Sequence, residues 1–260
     1  MKKAYNKWFF TKVKRAIRDY NMIQAGDRIA VGVSGGKDSS TLLYILSLLR
    51  KHSHLKFDFQ AVTLDLGQGA DLSPLVDYCR QHDIPLHIEP TKIGHIVFNV
   101  RQETNPCSLC ANLRRGALHQ AARKLGCNKV ALGHHLDDAI ETLLMNIIFT
   151  GKLGTFSPWV YLDRMDLTLI RPMIYLPQET VVSLARKEKL PIIHNPCPAN
   201  GHTQRQKMQE LVNQLAKDYP DIRQKILTSL QNVDFNNLWK QRRPLPQADT
   251  DSMKQIHNEN

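Results

Sequence analysis

Hydrophobic positions recur along this chain with two alternating periods. Phe10, Val13, Ile17 and Tyr20 fall at i, i+3, i+7 and i+10, one apolar stripe of an amphipathic helix. Ala25-Gly26-Asp27 breaks that helix, and Arg28–Val33 then reads as a short buried strand. Gly35-Gly36 makes a tight loop, and Ser39–Leu49 continues as an apolar helix. The alternation repeats with a strand at Phe57–Leu64 and a helix capped near Asp71 or Ser73, with Pro74 at its first position. A strand at Pro85–Glu89, a helix from about Ser108 to Leu125, a strand at Lys129–Leu132 and a helix at Leu136–Phe149 follow. This order predicts an α/β fold, a parallel five-stranded sheet with helices on both faces. The rhythm weakens after residue 151. Leu167–Ile170 reads as an edge strand, Gln178–Lys189 as helix, and Gln204–Ala216 and Asp221–Val233 as a C-terminal helical segment. From Gln241 the chain is polar, with Pro244, Pro246 and no periodicity, and disorder is expected. The expected organisation is therefore an N-terminal helix over 1–24, an α/β domain over 25–200, a helical segment over 201–240 and a tail over 241–260.

Composition narrows the class. A chain of 260 residues makes one large or two small domains and buries a full core without disulfide staples. With 42% hydrophobic and 23% charged residues it is neither collagen nor a coiled-coil rod, nor disordered throughout. No apolar run approaches the ~18 residues of a membrane span. The basic N-terminus lacks an apolar h-region and a small-residue cleavage site, so a mature cytoplasmic protein with no membrane partner is expected. Net charge is +11, and the first twenty residues concentrate it: Lys2, Lys3, Lys7, Lys12, Lys14, Arg15 and Arg18 stand against Asp19 alone. Such a stripe suits a polyanion, whose phosphates release counterions on contact, and it equally suits a solvated helix face.

Three groups of residues carry candidate chemistry. In Val31-Gly-Val-Ser-Gly-Gly-Lys-Asp-Ser39 a buried strand delivers Ser34, Gly35 and Gly36 into a loop that opens a helix. Free backbone amides, the Ser34 and Ser39 hydroxyls and Lys37 suit phosphate oxygens, and Asp38 suits Mg²⁺; the plainer account is a glycine turn. The spacing is not that of a Walker loop. In Leu132-Gly-His-His-Leu-Asp-Asp138, Gly133 lets backbone lie against a nucleotide, while Asp137 and Asp138 open a helix, where helix capping also accounts for an acid. Third, Cys107 and Cys110 sit on one turn, and Cys197 is framed by Pro196 and Pro198. Three thiolates are one short of a closed zinc site or an ordinary cluster. A [4Fe–4S] cluster with one open iron, zinc completed by His194 or His202, and a redox disulfide all remain open. Cys79 and Cys127, among apolar neighbours, read as small buried hydrophobes.

Ser-Gly-Gly-Lys-Asp-Ser at 34–39, with the Gly-His-His-Leu-Asp-Asp element running on to Glu141-Thr142, resembles the PP-loop ATP pyrophosphatases. Pro106-Cys-Ser-Leu-Cys110 with Leu113-Arg-Arg-Gly116, Asn21-Met-Ile, Arg171-Pro172-Met173, and Asn195-Pro-Cys197 ahead of Gln204-Arg205-Gln206 are similar to the tRNA 2-thiocytidine synthetase family. The resemblance covers roughly residues 10–215. It implies ATP-dependent, iron–sulfur-dependent thiolation of tRNA: ATP adenylates the cytidine C2 oxygen, sulfide held at the open iron attacks C2, and AMP leaves. It implies Val33 and Leu64 beside adenine, Asp137 in catalysis with Asp138 left open as the alternative, and a sulfur donor that is a cysteine desulfurase or sulfide. Arg114, one turn beyond the cysteines, is assigned to RNA or substrate contact. The apolar stripe of the first helix is a candidate homodimer contact. Two rivals stand beside this reading. A lysidine-synthetase-like tRNA ligase leaves the three cysteines without a task, and a non-catalytic iron–sulfur or zinc nucleotide-binding regulator leaves Lys37 and Asp38 without one.

Overall fold

The computed structural model describes residues 5–102, 106–193, 197 and 204–239. The expected tail, and the His194 and His202 of the zinc alternative, lie outside these residues. A six-stranded sheet runs through the molecule: β1 (Arg28–Gly32), β2 (Asp58–Asp65), β3 (Leu86–Pro90), β4 (Lys129–Ala131), β5 (Trp159–Leu162) and β6 (Leu167–Ile170). Its order is β3-β2-β1-β4-β6-β5, and every pairing is parallel except β5 with β6.

Two sequence expectations are corrected. The sheet has a sixth strand, and Leu167–Ile170 is internal, not the edge. The residues Trp159–Leu162 alternate between exposed and half-buried, as an edge strand with one wet face does. They turn into β6 through a short 3-10 turn at Asp163–Met165. All four residues of β6 are buried, because β4 and β5 pair with it on either side.

Eight helices of eight or more residues are described: α1 (Thr11–Asp19), α2 (Lys37–His52), α3 (Ser73–Gln81), α4 (Pro106–Lys124), α5 (Leu136–Thr150), α6 (Gln178–Lys187), α7 (Gln204–Asp218) and α8 (Ile222–Gln231). Alternation along β1 assigns them to faces. Ile29 and Val31 join a core with Val13 and Ile17 of α1, Leu42 and Leu46 of α2, Val181 of α6, Val212 of α7 and Leu227 of α8. Ala30 points the other way, with Val62 and Val130, against Ala121 and Ala122 of α4.

The stripe on α1 is thus consumed within the chain. Phe9, Phe10, Val13, Ala16 and Ile17 are buried in the larger core, and a π-helical turn at Asn6–Phe10 brings the two phenylalanines onto that face. Tyr5 adds a hydrogen bond to Glu188, whose other oxygen accepts from Tyr44 at 3.0 Å. The expected dimer contact through this stripe is withdrawn. Lys7, Lys12 and Lys14 remain on the exposed side. Cys79 and Cys127 are buried as expected, and burial pushes the Cys79 thiol up to about 11. No helix among the described residues is long and apolar enough to cross a membrane.

Candidate active site

Strand order reverses between β1 and β4: β2 and β3 lie on one side of β1, and the later strands on the other. Parallel sheets bind ligands at the carboxyl ends of the strands beside such a reversal. A cavity of about 580 Å³ opens there. β2 contributes Val62–Asp65, the loop after β1 contributes Val33, Ser34, Asp38 and Ser39, and β4 is followed by Gly133, His134 and Asp138. Leu169 and Arg171 close the β6 side, while α4 supplies Ala111, Arg114, Arg115, Leu118 and His119.

The Ser34–Ser39 loop is held by its own hydroxyls. Ser39 Oγ accepts from the Ser34 amide at 3.1 Å and donates to the Gly36 carbonyl at 2.9 Å. Gly35 sits at φ +80°, and a Cβ there would lie 2.7 Å from Ile193 Cβ, so only glycine fits both the backbone and the neighbour. Gly133 answers a different need: a Cβ would come within 3.0 Å of the Asp38 and Ser39 backbone, so its bareness lets the end of β4 rest on the first turn of α2. Lys37 Nζ donates to Asp38 Oδ2 at 3.0 Å, with both side chains about a third exposed. Asp38 Oδ1 is buried without a hydrogen bond, facing His135 Nε2 at 3.5 Å. That orphaned oxygen fits a cation. Burial alone would raise the Asp38 carboxyl, but His135 and Lys37 hold it below its ordinary value. Burial would lower His135, yet Asp38, Asp138 and Asp137 carry it upward.

The two adjacent acids are used differently. Asp137 is buried and does not line the cavity: its Oδ2 accepts from the Gln178 amide at 2.7 Å and its Oδ1 from Arg223 Nε at 2.7 Å. It ties the first turn of α5 to α6 and α8. Asp138 lines the cavity, accepts the His135 amide at 2.9 Å on Oδ2, and meets Arg205 Nη1 at 3.1 Å on Oδ1. Arg205 also reaches Glu141 at 3.2 Å and Thr142 at 3.2 Å. The sequence marks Arg171 and Arg205 only as members of motifs and does not mark Arg223, because the carboxylates that Arg205 and Arg223 meet lie more than sixty positions away. His119, buried on the cavity wall, was missed as well; burial first, then Arg115, lowers its pKa.

Of the expected nucleotide contacts, Val33, Ser34, Asp38, Ser39, Leu64 and Gly133 line the cavity, while Gly35, Gly36 and Lys37 form the loop at its rim. Arg114 lines it too. Cys107 is exposed and Cys110 and Cys197 half-buried. Burial pushes the Cys110 thiol up, the neighbouring Arg114 guanidinium pulls it down, and Cys197 and Cys107 add to the rise, so all three thiols lie within electrostatic reach. Three soft sulfur donors beside a guanidinium fit an iron–sulfur cluster in kind. Among the described residues no group of three His, Cys, Asp or Glu is already drawn tightly around one point.

A phosphate loop and a cysteine-bearing helix at the switch point of a parallel sheet define a nucleotide-dependent enzyme of the PP-loop class, and the PP-loop domain family matches residues 6–215. Two relatives are called tRNA-cytidine(32) 2-sulfurtransferase. That of Geotalea uraniireducens is 41% identical over 232 residues, 86% of this chain and 92% of the relative. That of Geobacter sulfurreducens is 42% identical over 225 residues, 85% of this chain and 88% of the relative. Among solved structures, the U34-tRNA thiolase NcsA from Methanococcus maripaludis with its [4Fe–4S] cluster superimposes with a TM-score of 0.69 at 25% identity, covering 87% of this chain and 78% of that one. The chain belongs to the PP-loop family and, within it, to the tRNA-cytidine(32) 2-sulfurtransferases.

Proposed function

We propose that this chain is an ATP-dependent tRNA sulfurtransferase that replaces the C2 oxygen of a cytidine with sulfur. The observation that carries the reading is a shared wall. The helix whose first turn bears Cys107 and Cys110 also lends Arg114, Arg115, Leu118 and His119 to the cavity bordered by the phosphate loop. The three cysteines do not themselves line the cavity; the helix that carries two of them sets the proposed sulfur site beside the proposed nucleotide site. The names of the relatives support cytidine 32 of a tRNA as the target.

Each reactant has residues suited to it. Adenine lies between Val33 and Leu64, and the phosphates lie on the Ser34, Gly35, Gly36 and Ser39 loop with Lys37 neutralising charge. Asp38, through its unpartnered Oδ1, would hold Mg²⁺, which would supply further charge neutralisation at the phosphates. The C2 oxygen attacks the α-phosphorus and pyrophosphate departs; sulfide then attacks C2, the C2–O bond breaks, and AMP leaves with the oxygen. Asp138, not Asp137, is the carboxylate that borders the reacting atoms, and Arg114 contacts RNA or substrate. Cys107, Cys110 and Cys197 would hold a [4Fe–4S] cluster, which would supply an iron able to bind sulfide; the sulfur comes as free sulfide, or from the persulfide of a cysteine desulfurase together with a two-electron reductant. The chain's own contribution is orientation and charge neutralisation.

Anaerobically purified protein tests this directly. Incubated with ATP, sulfide and unmodified tRNA, it should release AMP and pyrophosphate in step with 2-thiocytidine found by nucleoside analysis. AMP release without any thiolated nucleoside would overturn the reading.

A further inference from the structure

Arg171 leaves β6 and enters the cavity already fixed by protein groups. Its guanidinium lies 4.7 Å from the centre of the Phe156 ring. Nη1 donates to the Ser157 carbonyl at 2.6 Å, and Nε donates to His134 Nδ1 at 3.2 Å. Nη2 has no acceptor among the described residues, and no carboxylate there lies within ion-pair distance of the guanidinium. The residue is only 8% exposed. A buried charge without a counter-charge carries an uncompensated desolvation cost, so an anion entering the cavity relieves a standing penalty. Burial lowers the Arg171 pKa to about 10, which leaves it cationic at neutral pH.

His134 completes the arrangement. Accepting at Nδ1 puts its own proton on Nε2. Burial first, then the Arg171 charge, pushes its pKa down to about 4, so the ring is neutral and presents a second N–H. His134 and Arg171 both line the cavity.

Position separates this pair from the phosphate loop. β4 lies between β1 and β6, so the carboxyl ends that carry the loop and Arg171 are about 10 Å apart at the ordinary strand spacing. With β2 closing the opposite end, the Arg171 side is where a second reactant meets the nucleotide.

We propose that Arg171, with His134 beside it, is a second phosphate-binding position in the cavity, one that receives the phosphate at the reacting centre. This rests on the reading of the cavity as a site for ATP and RNA. Two molecules bring such a phosphate: ATP through its α-phosphate, which AMP retains, and the RNA through its backbone. A planar guanidinium with free N–H groups matches either.

The test uses the full chain and binding alone, so it does not depend on thiolation. Adenosine, AMP and an unmodified tRNA transcript are titrated against wild type, Arg171→Met and Arg171→Lys. If the α-phosphate is the ligand, Arg171→Met cuts the preference for AMP over adenosine by about tenfold and leaves adenosine affinity within about twofold. If the RNA backbone is the ligand, that preference stands, tRNA binding weakens by about tenfold, and its log–log salt slope becomes shallower by about one. Arg171→Lys, which keeps the charge and loses the fork, should fall between. Should Arg171→Met fail to fold, Arg171→Lys is read with a threshold of about threefold. A folded variant with unchanged AMP preference, tRNA affinity and salt slope overturns the proposal. In that case, thiolation by wild type still stands or falls on its own assay.

Discussion

Lys37 and His134 show how one cavity sets two basic side chains to opposite tasks. Lys37 rests on Asp38 beside the cavity, and in the proposed phosphate site it would exchange that carboxylate for a phosphate. Lys37→Ala should fold normally and lose about 10- to 100-fold in AMP release, the worth of one charge-assisted hydrogen bond to a phosphate. Unchanged turnover would remove Lys37 from the phosphate site. His134, in contrast, is kept neutral by burial and by Arg171, with a pKa of about 4. Above roughly pH 6.5 it is neutral in both the folded and the unfolded chain. As pH falls below that, the unfolded chain takes up a proton that the folded one refuses. Stability should therefore drop from about pH 6.5 down to about pH 4. His134→Gln, which retains an acceptor for Arg171, should flatten that drop in urea denaturation followed across pH. An equally steep drop would assign the proton uptake elsewhere.

Elements carry the next level of organisation. The first helix turns its apolar face into the core and leaves Lys7, Lys12 and Lys14 outside. Neutralising these three to Gln should weaken tRNA binding without altering ATP affinity. The salt slope should become shallower by roughly one for each phosphate that the helix no longer neutralises. A slope that does not move returns the helix to a solvated face. The start of α5 is a second case. Asp137 joins it to α6 through the Gln178 amide and to α8 through Arg223. Asp137→Ala strands a half-buried guanidinium and a backbone donor, and should cost about 3 kcal/mol of unfolding free energy. Asp138→Asn, on the cavity wall, should cost less stability and more activity. The paired measurement is urea denaturation beside AMP release, and a mild effect of Asp137→Ala on stability would reopen its catalytic role.

At the scale of the whole molecule, five cysteines divide into two populations. Cys79 and Cys127 are sealed in the cores on the two faces of the sheet, whereas Cys107, Cys110 and Cys197 gather where α4 meets the segment before α7. In protein purified without air, Ser at any of the last three should abolish the brown colour and acid-labile sulfide. Cys79→Ser and Cys127→Ser should keep both. Stoichiometric zinc with no labile sulfide in the wild type would defeat the cluster and leave adenylation alone.

Much of this was legible in the chain itself. Five strands, the loop at 34–39 and the split between two buried cysteines and three more open ones follow from local pattern, because strand burial, glycine turns and thiol spacing are written in neighbouring residues. The sixth strand was not, since Trp159–Leu162 is short and half wet and becomes a strand only by pairing with β6. Nor was the fate of the α1 stripe, because an amphipathic face is the same in sequence whether its own core or a second copy covers it. Asp137 and Asp138 make the sharpest case. Adjacent helical residues point about 100° apart. Which of the two faces the cavity depends on Gln178, Arg205 and Arg223, all brought there by later helices. Local sequence is enough to start this helix with two acids beside a phosphate loop; it takes the packed later helices to choose which acid is spent on holding the fold and which one faces the cavity.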